Sequence, residues 1–355
     1  IECILVTAEE NKIRLTANNM ELAIETILEG EIKETGVVAL EAKLFLDSIR
    51  LLYESDVTIS TDDNFLTTIQ CEGDEYKISG KSGDDFPELP AVEKNDPLKI
   101  SCLTFKDIVR QTIFSVSENE SNKMMAGELL EVKNNVLSMI SLDGHRISIR
   151  KTPLKEENSE ENEEADAEAA NEHRDVSVVV PGKNLDEVSR IIPGEINKDI
   201  KLFFTDKHII FEFENTTVVS RIIEGEYYRV DQMLSNDYET KLKINKKKFL
   251  DSVDKATVIV KEGDKKPIII SIEDQSMNIK INSPVASFHG DLEVEKEGQD
   301  IMIGFNPKFI KDVLRVVDDE TITVYMVNPK APCTIKNEDE SYIYLVLPVN
   351  FKTVD

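Results

Sequence analysis

The most regular feature of the chain is an amphipathic pattern, in which apolar residues recur at the spacing of one face of a helix. It appears in five stretches, which begin at residues 45, 105, 185, 249 and 309. The successive gaps are 60, 80, 64 and 60 residues, and the long gap contains an acidic, low-complexity segment. A nearly fixed period of this kind indicates one structural unit that is used repeatedly.

The segments between these helices alternate apolar and polar residues, which is the period of a strand with one buried face. Clear examples are residues 57–60, 277–281 and 322–326. Turn-forming pairs such as Asn134-Asn135 and Asp143-Gly144 separate the runs. Each unit is therefore predicted to hold one helix and about four strands, which makes the fold class α+β.

The predicted helices carry their charges on the side opposite their apolar residues. At about 100° per residue, Lys308, Lys311 and Arg315 share one side of the last helix, and Phe309 and Val313 lie on the other. The five helical segments together carry a net charge of +5, in a chain whose formal net charge is −27. A solvated helix face is the ordinary explanation. Cations on equivalent faces of repeated helices would instead form one basic surface on an acidic body.

The composition limits what the chain can be. Its 355 residues suffice for two or three domains, and no apolar run is long enough to span a membrane. The opening residues are typical of a strand and not of a signal peptide. The four cysteines include no Cys-x-x-Cys pair, which indicates reduced thiols and predicts a cytoplasmic protein. The acidity argues against general binding to nucleic acid, so any such contact must use a local basic patch.

An acidic insertion occupies residues 155–174. Between Glu156 and Glu172 there are nine acidic residues and no basic or large apolar ones. This composition cannot form a core, and it predicts a solvated loop between two strands. A role in binding or repelling a partner is the less favoured interpretation.

The residues that catalysis or metal binding would need are not grouped in this sequence. The four histidines lie in separate contexts without metal-ligand spacing. Gly80-Lys81-Ser82 resembles the end of a phosphate-binding loop, but the first glycine of that motif would fall on Glu75. We therefore predict that the protein is not an enzyme and binds no metal or cofactor. A metal-dependent nuclease or phosphatase is the enzymatic alternative.

Five short motifs carry a resemblance to a known family. In Asp143-Gly144-His145-Arg146-Ile147, a hairpin explains the Asp-Gly turn but not the His-Arg pair that follows. The others are Asp85-Phe86-Pro87, Pro181-Gly182-Lys183, Ile303-Gly304-Phe305-Asn306 and Leu347-Pro348-Val349. In order along the chain, they resemble motifs of the bacterial DNA polymerase III beta subunit family, the sliding clamps. The resemblance spans the whole chain and is therefore more specific than any single motif.

The resemblance implies the DNA-clamp fold, with three similar domains that each contain two of the units described above. We place the domains at residues 1–93, at 97–230 with the insertion 155–174, and at 237–355. The family forms a head-to-tail dimer ring, with helices inside and sheets outside. Three such domains need six helices, whereas the sequence contains five. The family's first strand and first helix, roughly 30 residues, are therefore expected before Ile1.

The resemblance further implies a processivity factor that encircles duplex DNA and tethers the replicative polymerase. Retention by topology needs only weak phosphate contacts that ignore base sequence. The expected partners are double-stranded DNA, the polymerase catalytic subunit, clamp-loader subunits, other clamp-binding proteins and a second copy of the chain, with no membrane. The predicted DNA-binding residues are Lys43, Arg50, Lys106, Arg110, Lys123, Lys183, Arg190, Lys247, Lys248, Lys308, Lys311 and Arg315.

An apolar cleft between the second and third domains is also implied, and partners would insert a short peptide into it. Arg146 is expected to be its polar contact. Its apolar walls are expected to be Ile147, Met233, Val346, Leu347 and Pro348. Two features depart from the family, since Leu142 replaces a small polar residue and residues 227–233 lack the usual Pro and Arg. The full predicted set is Met125, Leu142, Gly144, His145, Arg146, Ile147, Tyr228, Met233, Asn306, Phe309, Pro332, Leu345, Val346, Leu347, Pro348, Val349, Asn350 and Phe351.

The dimer contact is predicted from the same resemblance. Tyr76 and Ile78 lie at the edge of the first domain, and Val258 and Ile259 lie on the opposing surface. Edge strands of this kind also pair non-specifically. The main alternative function is a β-rich scaffold that binds only protein. It accounts for the repeats and the acidity but not for the recurring cationic helix faces.

Overall fold

The structure is a computed structural model, which describes residues 2–53, 55–90, 92, 94–119, 121–154, 175–260 and 266–351. The chain divides into two compact units. The first contains residues 1–102 and 192–222, and the second contains residues 103–191 and 223–355. The acidic insertion at 155–174 lies outside the described residues, as do the four residues that end the chain. None of the described helices has the length and apolar character that a membrane span requires.

Each of the five amphipathic segments is a helix, as predicted, and side-chain caps explain where several of them begin. Asn245 and Asn306 accept hydrogen bonds from the amides of Lys248 and Lys308, each at 3.0 Å. The Glu41 carboxylate caps the first helix in the same way. These caps satisfy amides that have no partner within the helix. The helices are α1 (Ala42–Arg50), α2 (Cys102–Thr112), α3 (Gly182–Ile191), α4 (Lys246–Thr257) and α5 (Pro307–Val316).

Strands occupy the alternating segments, and four of them precede each of α1, α2, α3 and α4, which agrees with the predicted unit. All three example segments lie within strands. The strands are β1 (Cys3–Glu9), β2 (Lys12–Asn18), β3 (Leu22–Glu29), β4 (Gly36–Glu41), β5 (Val57–Thr61), β6 (Leu66–Cys71), β7 (Asp74–Ser79), β8 (Leu98–Ser101), β9 (Gly127–Lys133), β10 (Val136–Leu142), β11 (Arg146–Pro153), β12 (Val176–Pro181), β13 (Asp199–Phe204), β14 (His208–Phe213), β15 (Thr216–Arg221), β16 (Thr240–Asn245), β17 (Ile268–Glu273), β18 (Ser276–Asn282), β19 (Ser287–Glu293), β20 (Glu295–Gly298), β21 (Ile301–Phe305), β22 (Thr321–Met326), β23 (Cys333–Lys336) and β24 (Tyr342–Val346).

The first unit contains an eight-stranded sheet in the order β4-β1-β2-β3-β15-β14-β13-β8 and a three-stranded sheet in the order β5-β6-β7. The antiparallel pairing of β3 with β15 joins strands that are far apart in sequence, and the Thr26 and Thr216 hydroxyls meet across it at 3.0 Å. Leu40, Phe45 and Ile69 belong to the core beneath α1. The first unit therefore combines sequence from the first two predicted domains.

The second unit contains a nine-stranded sheet in the order β12-β9-β10-β11-β24-β23-β22-β16-β20 and a four-stranded sheet in the order β19-β18-β17-β21. Antiparallel pairing of β11 with β24 makes the larger sheet continuous, with Arg146 opposite Val346 and Ile149 opposite Ile343. Phe249 of α4 and Val313 of α5 enter one core with the sheet residues. The hairpin that carries the His-Arg pair lies at the end of this pairing.

Candidate functional site

The Asp-Gly turn between β10 and β11 is held by its own aspartate. One oxygen of Asp143 accepts hydrogen bonds from the amides of His145 (2.9 Å) and Arg146 (3.1 Å), and the other accepts one from the Arg146 guanidinium (2.9 Å). Gly144 has a φ of +86°, a conformation that a residue with a Cβ adopts only with strain. The predicted hairpin is therefore present, and Asp143 also fixes the direction of the Arg146 side chain.

Arg146 lies in the interior, with 5% of its surface exposed. Its guanidinium donates hydrogen bonds to the Asp312 carboxylate and to the Phe114 carbonyl, each at 2.6 Å. It also lies over the rings of Phe309 and Phe114, at 4.5 and 5.3 Å from their centroids. We expected this residue to be the polar contact of the cleft. In the structure its contacts join the hairpin to α5 and to the segment that follows α2.

A cluster of apolar side chains lies next to this arginine. Leu142, Ile147 and Leu345 are buried in it, and Met125 and Tyr228 pack against it. The hairpin contributes two of these residues, strand β24 a third, and the loops before β9 and after β15 the remaining two. The structure therefore brings together five of the predicted cleft residues from four separate parts of the sequence.

The C-terminal tail runs from this cluster towards β21. The Leu347 amide donates to the His145 carbonyl and the Val349 amide to the Gly304 carbonyl, both at 2.8 Å. A Cβ on Gly304 would lie 2.6 Å from the Phe351 ring, so the glycine provides the space that this ring fills. Leu347 and Val349 each remain 38% exposed. The tail thus presents apolar side chains while its backbone is held at two points.

The other predicted cleft residues differ in their accessibility. His145 is exposed, and its ring stacks on Phe309 with the centroids 6.1 Å apart. Val346 is fully buried, so it supports the wall without lining it. The side chain of Asn306 is used as the cap of α5. Met233, Pro332 and Asn350 are exposed, and Pro348 is half-buried.

Sequence reasoning missed three residues that organise this site, namely Phe114, Asp312 and Asn122. Asn122 donates a hydrogen bond from its side-chain amide to the Tyr228 hydroxyl at 3.0 Å. Asp312 lies in the fifth amphipathic stretch of the sequence, and Phe114 lies a few residues after the start of the second. Nothing local in the sequence links either of them to Arg146.

Eleven of the twelve predicted DNA-binding residues fall into three groups. Lys43, Arg50, Lys123, Lys247 and Lys248 are exposed and form no ion pair within the described part of the chain. Lys183 is exposed, and Lys106 is half-buried. The remaining four pair with carboxylates. Lys308 pairs with Glu118, and both Lys311 and Arg315 pair with Asp254. Arg190 pairs with Asp186 and Glu187.

Arg110 differs from the other predicted DNA contacts. Its guanidinium donates to both oxygens of Asp318, at 2.9 and 3.0 Å, and to the Val316 carbonyl at 3.0 Å. Gln111 also donates to Asp318 and Val316. Arg110 therefore fastens α2 to the end of α5, and this geometry leaves it less available to a phosphate than the exposed lysines.

Two of the four residues predicted for the dimer contact lie on a strand at a sheet edge, and the other two follow a helix. Tyr76 and Ile78 belong to β7, which ends the three-stranded sheet, and Ile78 is buried in the core of the first unit. Val258 follows α4 and is 81% exposed, whereas Ile259 packs partly against the core of the second unit. Strand β19 ends the four-stranded sheet of that unit. Among the described residues, no three His, Cys, Asp or Glu side chains are grouped as metal ligands would be.

Comparisons with known proteins agree with one another along the whole chain. Family models for the N-terminal, central and C-terminal domains of the DNA polymerase III beta subunit match residues 1–90, 99–228 and 231–350. A beta sliding clamp of Staphylococcus epidermidis is 30% identical over 98% of this chain and 90% of its own length.

Solved structures are similar as well. A putative DNA polymerase III beta subunit from Eubacterium rectale is 53% identical with a TM-score of 0.92, over 99% of this chain and 92% of that one. The sliding clamp from Bacillus subtilis is 26% identical with a TM-score of 0.90, over the same shares of the two chains. These matches confirm the predicted fold class, and they give no support to a scaffold that binds only protein.

Proposed function

The chain belongs to the DNA polymerase III beta subunit family, the bacterial sliding clamps, and from that premise we propose which of its residues hold DNA, partner peptides and a second copy. The protein is a processivity factor of DNA replication and not an enzyme. The observation that carries this conclusion is the succession of three family domains along one chain. We further propose that these domains have the boundaries expected from the sequence, 1–93, 97–230 and 237–355.

DNA is proposed to lie against the basic helix faces, inside a ring of two chains. The main contacts are the exposed cations that form no ion pair with other described residues, above all Lys247 and Lys248 at the start of α4. The paired residues Lys308, Lys311 and Arg315 would exchange a carboxylate for a phosphate, and Arg110 would contribute less. Contacts of this kind release counterions and read no base edge, so they allow sliding.

Replacing Lys247 and Lys248 by alanine is expected to weaken the salt dependence of DNA binding. Each lost phosphate contact lowers the slope of log K against log salt by about 0.9, so the double variant should lose roughly 2. Titration of a labelled duplex between low and moderate salt measures the slope. A control that replaces Lys12 and Lys207, which are also exposed, should keep it. Equal slopes in the two double variants would show that Lys247 and Lys248 of α4 do not contact DNA.

Encirclement itself is tested by topology. The protein is loaded onto a nicked circular DNA, and the circle is then cut once with a restriction enzyme. A chain held by a closed ring leaves the linear DNA by sliding off its ends, whereas a chain held by direct affinity stays. Retention after cutting would contradict encirclement and favour ordinary binding.

The apolar cluster beside Arg146 is proposed to receive a short peptide from the polymerase, from clamp-loader subunits and from other partners. Support comes from the exposed side chains of Leu347 and Met233 next to a buried apolar floor. An anchor side chain that enters such a pocket gains most of its binding energy from desolvation. Arg146 is proposed to shape this pocket from below, by fixing Phe309 and the hairpin.

Dimer closure is proposed to bring the edge strand β7 of one chain to the edge strand β19 of another, with Val258 beside the contact. Replacing Val258 by glutamate is expected to shift the protein to monomers, because burying a charge at a contact is costly. The melting temperature of the chain should change little, since Val258 is largely exposed. Sedimentation measures the mass, and Ile196→Glu is the matched control at another exposed apolar residue. A Val258→Glu protein that remains dimeric at low concentration would contradict this placement.

A further inference from the structure

The turn of residues 121–126, between α2 and β9, is held from within by Asn122. The side-chain oxygen of Asn122 accepts a hydrogen bond from the Met125 amide at 3.3 Å, and its carbonyl accepts one from the Ala126 amide at 3.0 Å. The side-chain nitrogen donates outward, to the Tyr228 hydroxyl at 3.0 Å. One asparagine therefore fixes both the shape of this turn and its attachment to the loop after β15.

One side of this turn forms part of the cleft. Met124 and Met125 pack against the apolar cluster that contains Leu142, Ile147 and Leu345, and Tyr228 packs there too. A Cβ on Gly225 would lie 2.5 Å from the end of the Met124 side chain, and the φ of +130° at this glycine is one that residues with a Cβ rarely adopt. The position of two cleft-lining side chains, Met125 and Tyr228, thus depends on the conformation that Asn122 maintains.

The same turn carries one of the cations proposed to contact DNA and is bonded to the helix that carries another. Lys123 is exposed directly beside Asn122. The Ala126 carbonyl accepts a hydrogen bond at 3.0 Å from the amide of Gly182, the first residue of α3, and Lys183 follows. A Cβ on Gly182 would lie 2.8 Å from Val116 and 3.2 Å from that carbonyl, so the glycine permits this close approach. The turn is therefore joined to a proposed DNA-facing helix by its backbone.

We propose that Asn122 is a positioning residue that couples DNA contact at Lys123 and Lys183 to peptide binding in the cleft, so that each ligand strengthens the other. Phosphates at the two lysines hold the turn in the conformation that presents Met125 and Tyr228 to a peptide. A peptide that packs on those side chains holds the same conformation from the opposite side. Two ligands that favour one state must raise each other's affinity by the same factor. This inference rests on the proposed DNA and peptide sites.

The test compares peptide affinity with and without DNA. The probe is a fluorescent synthetic peptide that carries the cleft-binding segment of the polymerase catalytic subunit. Its dissociation constant is measured for the free protein and for protein loaded on a nicked circle. For the unmodified chain, DNA is expected to lower the constant about fivefold. The ratio of the two dissociation constants, without DNA over with DNA, should fall to nearly one in Asn122→Ala. It should also do so in Tyr228→Phe, which removes only the hydroxyl.

The ratio separates coupling from a simple structural role. Damage to the cleft alone would weaken peptide binding equally with and without DNA and leave the ratio unchanged. Lys123→Ala should also bring the ratio towards one, whereas Asn215→Ala, which removes an asparagine hydrogen bond in the first unit, should keep it near five. A wild-type ratio of one, or an unchanged ratio in Asn122→Ala, overturns the coupling. If the unmodified chain does not stay on the circle, the proposed encirclement fails, and the coupling fails with it.

Discussion

Replacing Arg146 by methionine is expected to lower the free energy of unfolding of the second unit by about 2–4 kcal/mol. The substitution leaves the Asp312 and Asp143 carboxylates, which are 20% and 15% exposed, without their shared cation. The substitution also removes the hydrogen bond that the Phe114 carbonyl accepts from Arg146. It removes, too, the cation that lies over the rings of Phe114 and Phe309. Urea denaturation followed by fluorescence measures the change. Arg146→Lys should recover only part of it, since an ammonium cannot reproduce the several directions of a guanidinium.

Arg190→Met is the matched control. Arg190 also pairs with two carboxylates, but it is 63% exposed and both partners lie on its own helix. Exposed pairs of this type add little to stability. A second comparison adds Asp312→Asn to the Arg146→Met variant, which should restore part of the lost stability by removing an uncompensated charge. If Arg146→Met is as stable as Arg190→Met, Arg146 does not fasten the hairpin.

Glu128→Gln is expected to stabilise the protein at pH 8 and to change it little at pH 5. Glu128 is fully buried at the start of β9, and within the described residues neither of its carboxylate oxygens has a hydrogen-bond partner. Burial is the larger effect and raises the pKa of this carboxyl from 4.5 to about 8, whereas the nearby Thr112 hydroxyl acts in the opposite direction. Tyr227 is an ionisable neighbour, and its pKa is raised by burial and then by the charge of Glu128 itself.

The direction of the pH effect follows from proton binding. Between pH 4.5 and about 8 the folded state holds a proton that the unfolded state has lost, so stability falls as pH rises through this window. Glutamine has no proton to lose, so the advantage of the variant should grow to the order of 3 kcal/mol by pH 8. Melting temperatures measured from pH 5 to 9 test this. Parallel profiles for the two proteins would show that the Glu128 carboxyl ionises without penalty.

The elements that depend on neighbours in sequence could be predicted. The apolar spacing predicted the five α-helices found in the described residues, and the Asp143-Gly144 pair predicted the hairpin, because a turn or a helix face is determined within a few residues. The cleft was predicted only through family resemblance, and the DNA and dimer residues remain predictions. Local patterns cannot predict contacts between distant residues, such as the hydrogen bond from Arg110 to Asp318, which are 208 residues apart in sequence.

Buried charge was the least predictable property. A cation in a motif shared with a known family predicts a binding residue, and the sequence does not reveal that Asp312 and two aromatic rings enclose Arg146. The same limit applies to Glu128, which follows the pattern of a strand in every respect except its charge. In both cases the pattern gives the element and its face, whereas long-range packing decides whether the side chain meets solvent.

The continuous pairing of β11 with β24 has a mechanical consequence. A partner peptide held in the cleft proposed above would pull on the residues around His145 and Leu347, at the last backbone hydrogen bond between these two strands, when its protein advances along DNA. Backbone hydrogen bonds that are loaded at one end of a strand pair break one after another, whereas bonds loaded along the strands share the force. Under such a load, the hydrogen bonds from Arg146 to Asp312 and to the Phe114 carbonyl would be the first side-chain contacts to resist separation of the two strands.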